Sequence, residues 1–507
     1  MNNHLIKILL ILSLGISQSS DRNEIIYEKY PNGLKKHVGI FEVSGKKQVL
    51  LGSYGFYDNG LKSFSQLYKD NKKHGKSVFW NKRGTKIIDG TYKMGMMDGL
   101  WIYYYENGNK MAEGVFLNGD GFSIDEEDIP INGRVGVWNS WYRNGQMKEK
   151  NIFNDGKLDG LRTIWYENGQ MNLEENWKDG GKIGLFTEWN KNGQKMEVGK
   201  YKNDKKIKNT IWTYFLNGKI ESERTYKEGK KDGLWTDWYK NGLKSKEITF
   251  KNGKEDGLWM EWYENGFKNS EITYKDGKFD GSYTIWEENG QKREEGNYKD
   301  NKKDGFFTIW DKNGHKIKLI TYKDGEENGL WIHWYENGQK KSEFMYKNGK
   351  LDGFYNIWGL NGQKIEEGKY SNDIKIENII WKYYLNGKKE RERSYKNGNK
   401  DGMWTEWNAV GQIMETMNYK NGNLDGLHTF WYENGQKYSE ITYENGKVDG
   451  LRTIWYENGQ KYSEIRYKDD TPDGFYSLWR NDGLKEEIGN FNKGNYISKT
   501  KWSYYKN

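Results

Sequence analysis

The stretch DGLWMEWYENGFKNSEITYKDGKF, Asp256 to Phe279, is followed directly by DGSYTIWEENGQKREEGNYKDNKK, Asp280 to Lys303. The same landmarks fall in the same places in both. Trp262 answers to Trp286, Gly266 to Gly290 and Tyr274 to Tyr298. Self-similarity at a fixed period of this length marks a repeat architecture, in which each unit is too small to bury a core alone and stacks on its neighbours.

Counting outward with the Gly of each Asp-Gly as position 0, anchors run from Gly75 to Gly474, and Asn209, Asn378 and Lys499 stand where three of them would have Gly. The step is 24 residues, except for 25 at those three and 37 from Gly99 to Gly136. Position 5 is always aromatic, position 9 always Gly and usually preceded by Asn, and position 17 is Tyr, Phe or Trp. The chain divides into a leader over 1–20, degenerate repeats over 21–74, regular repeats over 75–498 with an acidic insertion at 117–135, and a truncated repeat at 499–507.

Two short aromatic runs separated by Asn-Gly are a hairpin signal, and both residues tolerate the positive φ of a type I′ turn. The second turn, YKDG or YKNG, lies half a repeat later. Each unit therefore reads as one β-hairpin, and the fold class as all-β: an elongated repeat array of antiparallel hairpins, a solenoid or ribbon. Alternation assigns the faces. Leu258, Met260 and Trp262 share one side, and the constancy of that pattern predicts that it is buried. The expected core is then the position-5 row of Trp165, Trp189, Trp238, Trp262, Trp286, Trp310, Trp334, Trp358, Trp407, Trp431, Trp455 and Trp479. The other side carries Trp101, Trp235, Trp259, Trp331 and Trp404 at position 2, several with an acid two residues on. These five are the candidate binding face, because rows of exposed aromatics stack on sugar rings or take protein side chains.

Composition narrows the function. Of 507 residues 34% are hydrophobic and 30% charged, but 24 Trp and 38 Tyr supply the apolar surface that disordered chains lack. The net charge of +8 comes from 81 basic and 73 acidic residues interspersed, which points away from nucleic acid. The absence of cysteine excludes disulfides, thiol catalysis and cysteine zinc sites. MNNHLIKILLILSLGISQSS has Lys7, an apolar run from Ile8 to Ile16 and then small polar residues. It is too short to span a bilayer and fits a secretory signal, so the chain is expected to be exported to the periplasm, cell surface or medium, with no transmembrane segment.

The recurring YKxGKxDGLWxxWYENGQKxxE resembles the MORN repeat, in the variant form strung along bacterial proteins, over about residues 24–507. The resemblance implies an elongated hairpin array with a binding or scaffolding role and no catalytic residues. Many such proteins belong to an antitoxin family, but an export signal does not suit the neutralisation of a cytoplasmic toxin. Eukaryotic MORN proteins associate with membrane lipids, to which the even charge balance here lends slight support. A more distant likeness is to aromatic cell-wall-binding repeats.

No nucleophile elbow, P-loop, HExxH or dinucleotide fingerprint is present, and the six His occupy non-equivalent repeat positions. The expectation is a non-enzymatic protein with no cofactor and no metal. Asp125, Glu126, Glu127 and Asp128 make the insertion acidic. Their spacing does not match an EF-hand, so a solvated loop is expected rather than a calcium site. The expected partner is a protein or a cell-envelope component, the latter through the exposed aromatics.

Overall fold

The computed structural model describes residues 22–503. The expected signal lies outside them, as do the last residues of the truncated repeat. The regular structure of the described residues is all β: 43 strands in one antiparallel sheet, from Arg22–Lys29 to Asn495–Lys501. Strands pair with their chain neighbours. Lys254–Trp262 pairs with Lys268–Lys275, which pairs with Lys278–Trp286. The sheet falls into two compact units, one of residues up to Lys244 with Thr249–Lys254, the other of Ser245–Ile248 with the residues from Glu255 on.

The two turns of each repeat differ, and their types are exchanged relative to expectation. The left-handed two-residue turn is Asp276-Gly277, with φ of 49° and 84° between paired Lys275 and Lys278. In YENG only the glycine is left-handed, with Gly266 at φ 90°. Gly266 N–H donates to the Tyr263 carbonyl at 2.9 Å and Tyr263 N–H to the Phe267 carbonyl at 2.8 Å. This is a three-residue loop built on a type I turn. Asn265 avoids the left-handed region because its Oδ1 accepts from the Phe267 amide at 3.0 Å, a side-chain turn of its own.

The anchor glycine sits in a bulge. Ile272 faces Tyr283 and Tyr274 faces Phe279, so the chain around Gly281 carries two residues more than its partner strand. Gly281 has φ 126°, and a Cβ there would lie 2.9 Å from the Thr273 Cβ. A bulge frees carbonyls from the ladder. Position 16 answers them: Thr225 Oγ1 donates to the Leu234 carbonyl at 2.9 Å, Thr321 Oγ1 to that of Leu330 at 2.8 Å, and Asn418 Nδ2 to that of Leu427 at 3.0 Å. At two of the 25-residue steps the strands Lys205–Tyr214 and Ile374–Tyr383 run ten residues with a one-residue bulge instead. Asn209 and Asn378 replace the glycine there, buried and donating to Glu197 at 2.8 Å and Glu366 at 3.0 Å.

Burial does not follow the expected faces: on the side expected in the core, position 3 is buried, as at Thr236, Ile332 and Thr453, but position 5 is only half-buried. On the other side position 2 is well buried: Trp101, Phe186, Phe307, Tyr355, Trp404 and Tyr476 are all at most 5% exposed. Position 1, expected in the core, is exposed at Leu100, Leu185, Leu258, Phe306, Phe354 and Met403. The physical reason lies across the strands. Position 15 of one unit lies against position 2 of the next, and where position 15 is glycine a large ring fills the space. Glycine at 90, 114 and 296 admits the rings of Trp101, Trp138 and Phe307, which come within 2.1–2.4 Å of where a Cβ would stand. Ile272, Met417 and Ile441 instead face Tyr283, His428 and Arg452. The variability of position 2 reflects paired packing, not exposure.

Candidate functional site

Each of the five tryptophans taken as a binding face is engaged. Trp101 and Trp404 are 2% and 5% exposed, and Trp235, Trp259 and Trp331 are half-buried. Their rings pack on the position-17 aromatics: Trp101 on Tyr92 and Phe116, Trp235 on Tyr226 and Phe250, Trp259 on Tyr274, Trp331 on Tyr346, Trp404 on Tyr395 and Tyr419. The indole N–H of Trp101, Trp235 and Trp404 donates to the carbonyls of Thr91, Thr225 and Ser394, at 3.0, 2.7 and 2.9 Å. Cations cap three of the outer ring faces: Lys231 lies 4.4 Å from the Trp235 ring, Lys246 4.0 Å from that of Trp259, and Lys400 4.5 Å from that of Trp404. The expectation of a free aromatic row is therefore corrected. Sequence reasoning missed the capping lysines, which come from neighbouring strands.

The twelve position-5 tryptophans expected in the core are half-buried, and at six of them a ladder of charges covers the ring. Lys268 pairs with Glu271 at 2.5 Å and lies 5.5 Å from the ring of Trp286 in the next unit. Lys292 does the same with Glu295 and Trp310, Lys389 with Glu392 and Trp407, and Lys340, Lys437 and Lys461 with Glu343, Glu440 and Glu464 and with Trp358, Trp455 and Trp479. Each contact is worth less than about 1 kcal/mol, but it recurs at unit after unit. A second series ties units together at the YENG edge. The Tyr263 hydroxyl donates to the Trp286 carbonyl at 2.9 Å and Asn265 Nδ2 to that of Glu288 at 2.9 Å. Tyr335 and Asn337, Tyr384 and Asn386, and Tyr456 and Asn458 repeat both bonds.

Two half-buried position-17 tyrosines hold their protons tightly. Desolvation, and carboxylates such as Glu255 near Tyr274, push Tyr274 and Tyr298 up to about 12. A carboxylate is also buried: Glu175, 1% exposed, takes Lys182 at 2.9 Å, Arg162 at 3.2 Å and the Trp177 indole at 3.0 Å.

The acidic insertion is not a solvated loop throughout. Ile129 and Arg134 are buried beside Trp101, Tyr103, Phe116 and Trp138. Asp125 pairs with Arg134 and accepts the amides of Glu127 and Ile129 at 3.0 Å each, while the guanidinium lies 4.6 Å from the Trp138 ring. The carboxylate best placed to take a cation is thus spent on an internal pair. Among the described residues no group of three His, Asp or Glu side chains is placed to hold a metal ion.

What remains open is the face bearing positions 1 and 5: exposed Leu and Phe, half-exposed Trp edges, and Lys–Glu pairs in repeating order. The family model of the MORN repeat variant matches nine stretches, residues 97–118, 134–155, 158–179, 213–228, 255–276, 279–300, 327–348, 424–445 and 448–469. These nine stretches are MORN repeats of the variant kind. In each full match the stretch takes in the exposed position 1, the Trp or Tyr ladder residue at position 5 and the aromatic at position 17. No curated protein matches the MORN chain. Among solved structures it is similar to the Tc holotoxin pore of Photorhabdus luminescens, at 10% identity and a TM-score of 0.14 over 93% of this chain and 30% of that one. It is also similar to a TcdB2–TccC3 structure, at 9% identity and a TM-score of 0.14 over 99% and 36%. The MORN array thus spans about a third of the length of these chains, and nothing about its function follows from TM-scores this low.

Proposed function

We propose that this MORN-repeat chain is a non-enzymatic, exported binding module that offers its position-1 face to another macromolecule, a protein or a cell-envelope component. The observation that carries this is the recurrence, in most repeats, of an exposed apolar residue at position 1 in a constant surround. Leu258, Phe306, Phe354, Met403, Leu427 and Phe475 are each at least 43% exposed, although the repeat conserves nothing that would require an apolar residue there for its own packing. A surface that repeats at fixed intervals suits adhesion or scaffolding, where many modest contacts add. Export is supported by the sequence of residues 1–20.

Two measurements test the reading. Replacing Leu258, Phe306 and Phe354 together by Ser leaves the fold intact, since all three side chains are outside, and abolishes capture of the partner by the wild-type chain. A turnover activity in a broad substrate screen, lost on mutation of one defined site, would show the reading to be wrong. Cell fractionation and N-terminal sequencing check export: the chain is found outside the cytoplasm and begins after Ser19 or Ser20. Cytoplasmic retention of the intact chain would favour an antitoxin-like role instead.

A further inference from the structure

The stretch GKYKNDKKIKN, Gly199 to Asn209, holds five lysines in eleven residues, and it lies at the first 25-residue step. The ladder sets Leu185 opposite Lys200, Lys200 opposite Lys208, and Lys208 opposite Lys227. Three ammonium groups therefore stand in one line across three adjacent strands, on one face, all exposed. Like charges set directly opposite are destabilising. Among the described residues none of the three makes an ion pair, whereas nearby Lys206 turns to Glu197 at 2.7 Å. The line borders a cleft of about 530 Å³ whose lining includes one acid, Glu228.

The chain supplies its own comparison. At the second 25-residue step the equivalent line is Phe354, Lys369, Glu377, Lys396, bordering a cleft of about 640 Å³ with Glu367 and Asp401 nearby. At the third it is Phe475, Asn490, Ser498. The same backbone thus accepts a neutralised row or an uncharged one. The unrelieved row at Lys200, Lys208 and Lys227 is not demanded by the fold.

We propose that this cleft binds an acidic polysaccharide, one carboxylate per sugar, laid across the strands. This deepens the binding-module reading and rests on it. Neighbouring strands lie about 4.8 Å apart, close to the length of one sugar in an extended glycan, so successive carboxylates meet successive ammonium groups. Lysines are point charges suited to single carboxylates; the fork that grips phosphate twice is arginine's, and no arginine lines the cleft. No aromatic lines it either, as base stacking of a single-stranded nucleic acid would require. The adjacent row, Thr187, Val198, Thr210, Thr225, places hydroxyls beside the charges for the sugar hydroxyls.

The test is calorimetric titration of the full chain with hexagalacturonate at low salt, with maltohexaose and linear hexaphosphate as comparison probes. Hexagalacturonate binds at one site, more weakly as salt is added, and maltohexaose does not bind. Lys208→Glu, which copies the row around Glu377 and so keeps the fold, weakens binding at least tenfold. Glu377→Lys, which copies the row around Lys208, adds a second site. No heat with hexagalacturonate at millimolar concentration, binding indifferent to Lys208→Glu, or tighter binding of hexaphosphate would each overturn the proposal. None of these touches the binding-module reading, which falls only to turnover or to a position-1 face whose loss changes nothing.

Discussion

A single lysine at position 11 does two things in this protein. Lys268 neutralises Glu271 on its own strand and covers the indole of Trp286 one unit further on. The tyrosine at position 6 is equally divided, since its backbone closes a turn while its hydroxyl reaches the next unit, as at Tyr263. Removing that hydroxyl leaves a partly buried carbonyl unanswered. Tyr263→Phe is therefore expected to destabilise the joined units by about 1 kcal/mol, read as a lower urea midpoint. Position 15 gives a harsher test. A Cβ at Gly90 would lie 2.1 Å from the Trp101 ring, so Gly90→Ala is expected to cost about 1–3 kcal/mol. The double change Gly90→Ala with Trp101→Tyr should recover part of that loss. At this scale the sequence was legible as to which residues recur and misleading as to why. Trp286, for example, is met by Lys268 and Tyr263 of the preceding unit, which converge on its ring and carbonyl, and Trp101 at position 2 is matched by the glycine at 90 across the ladder. Cross-strand partners 11–13 residues apart are invisible until the register is known.

At the scale of the element, the hairpin was readable because Asn-Gly and Asp-Gly punctuate runs of period two. The turn types were not, because both dipeptides accept left-handed φ and only the Asn265 side-chain bonds break the tie. The difference is measurable. Asp276→Gly is expected to be nearly neutral, since both residues of that turn are left-handed. Asn265→Gly loses the bond to the Phe267 amide and the one to the Glu288 carbonyl, and is expected to cost about 1–2 kcal/mol. Equal midpoints for the two variants would show that the turns are alike. Strand faces were assigned from constancy, a sound rule for a sheet with one solvated side. Here both sides are partly covered, one by rings and the other by the lysine ladder, and constancy no longer marks the inside.

At the scale of the whole molecule, repetition was fully legible, and with it the all-β class. The lysine row at the first 25-residue step was not, because an overall charge of +8 spread over 507 residues hides a local line of three. Tyrosine burial adds a whole-chain prediction. The hydroxyls of Tyr274 and Tyr298 titrate near 10 in the unfolded chain and are raised to about 12 in the folded one. A raised folded value means that their contribution is complete below pH 10 and is lost as pH climbs through 12. Thermal midpoints are thus expected to be flat from neutral pH to about 10 and to fall above it, with tyrosinate absorbance rising late and together with unfolding. Tyrosinate appearing in full near pH 10 in the folded chain would contradict this burial.

Because strands pair with their neighbours along the chain, tension applied between the two ends of such a polymer loads the ladder bonds one after another. Peeling requires little force at each step and shares none with the strands behind. A chain held at both ends would yield gradually, in short increments of contour length, and re-form them when slack. Such an array absorbs a tug without rupturing.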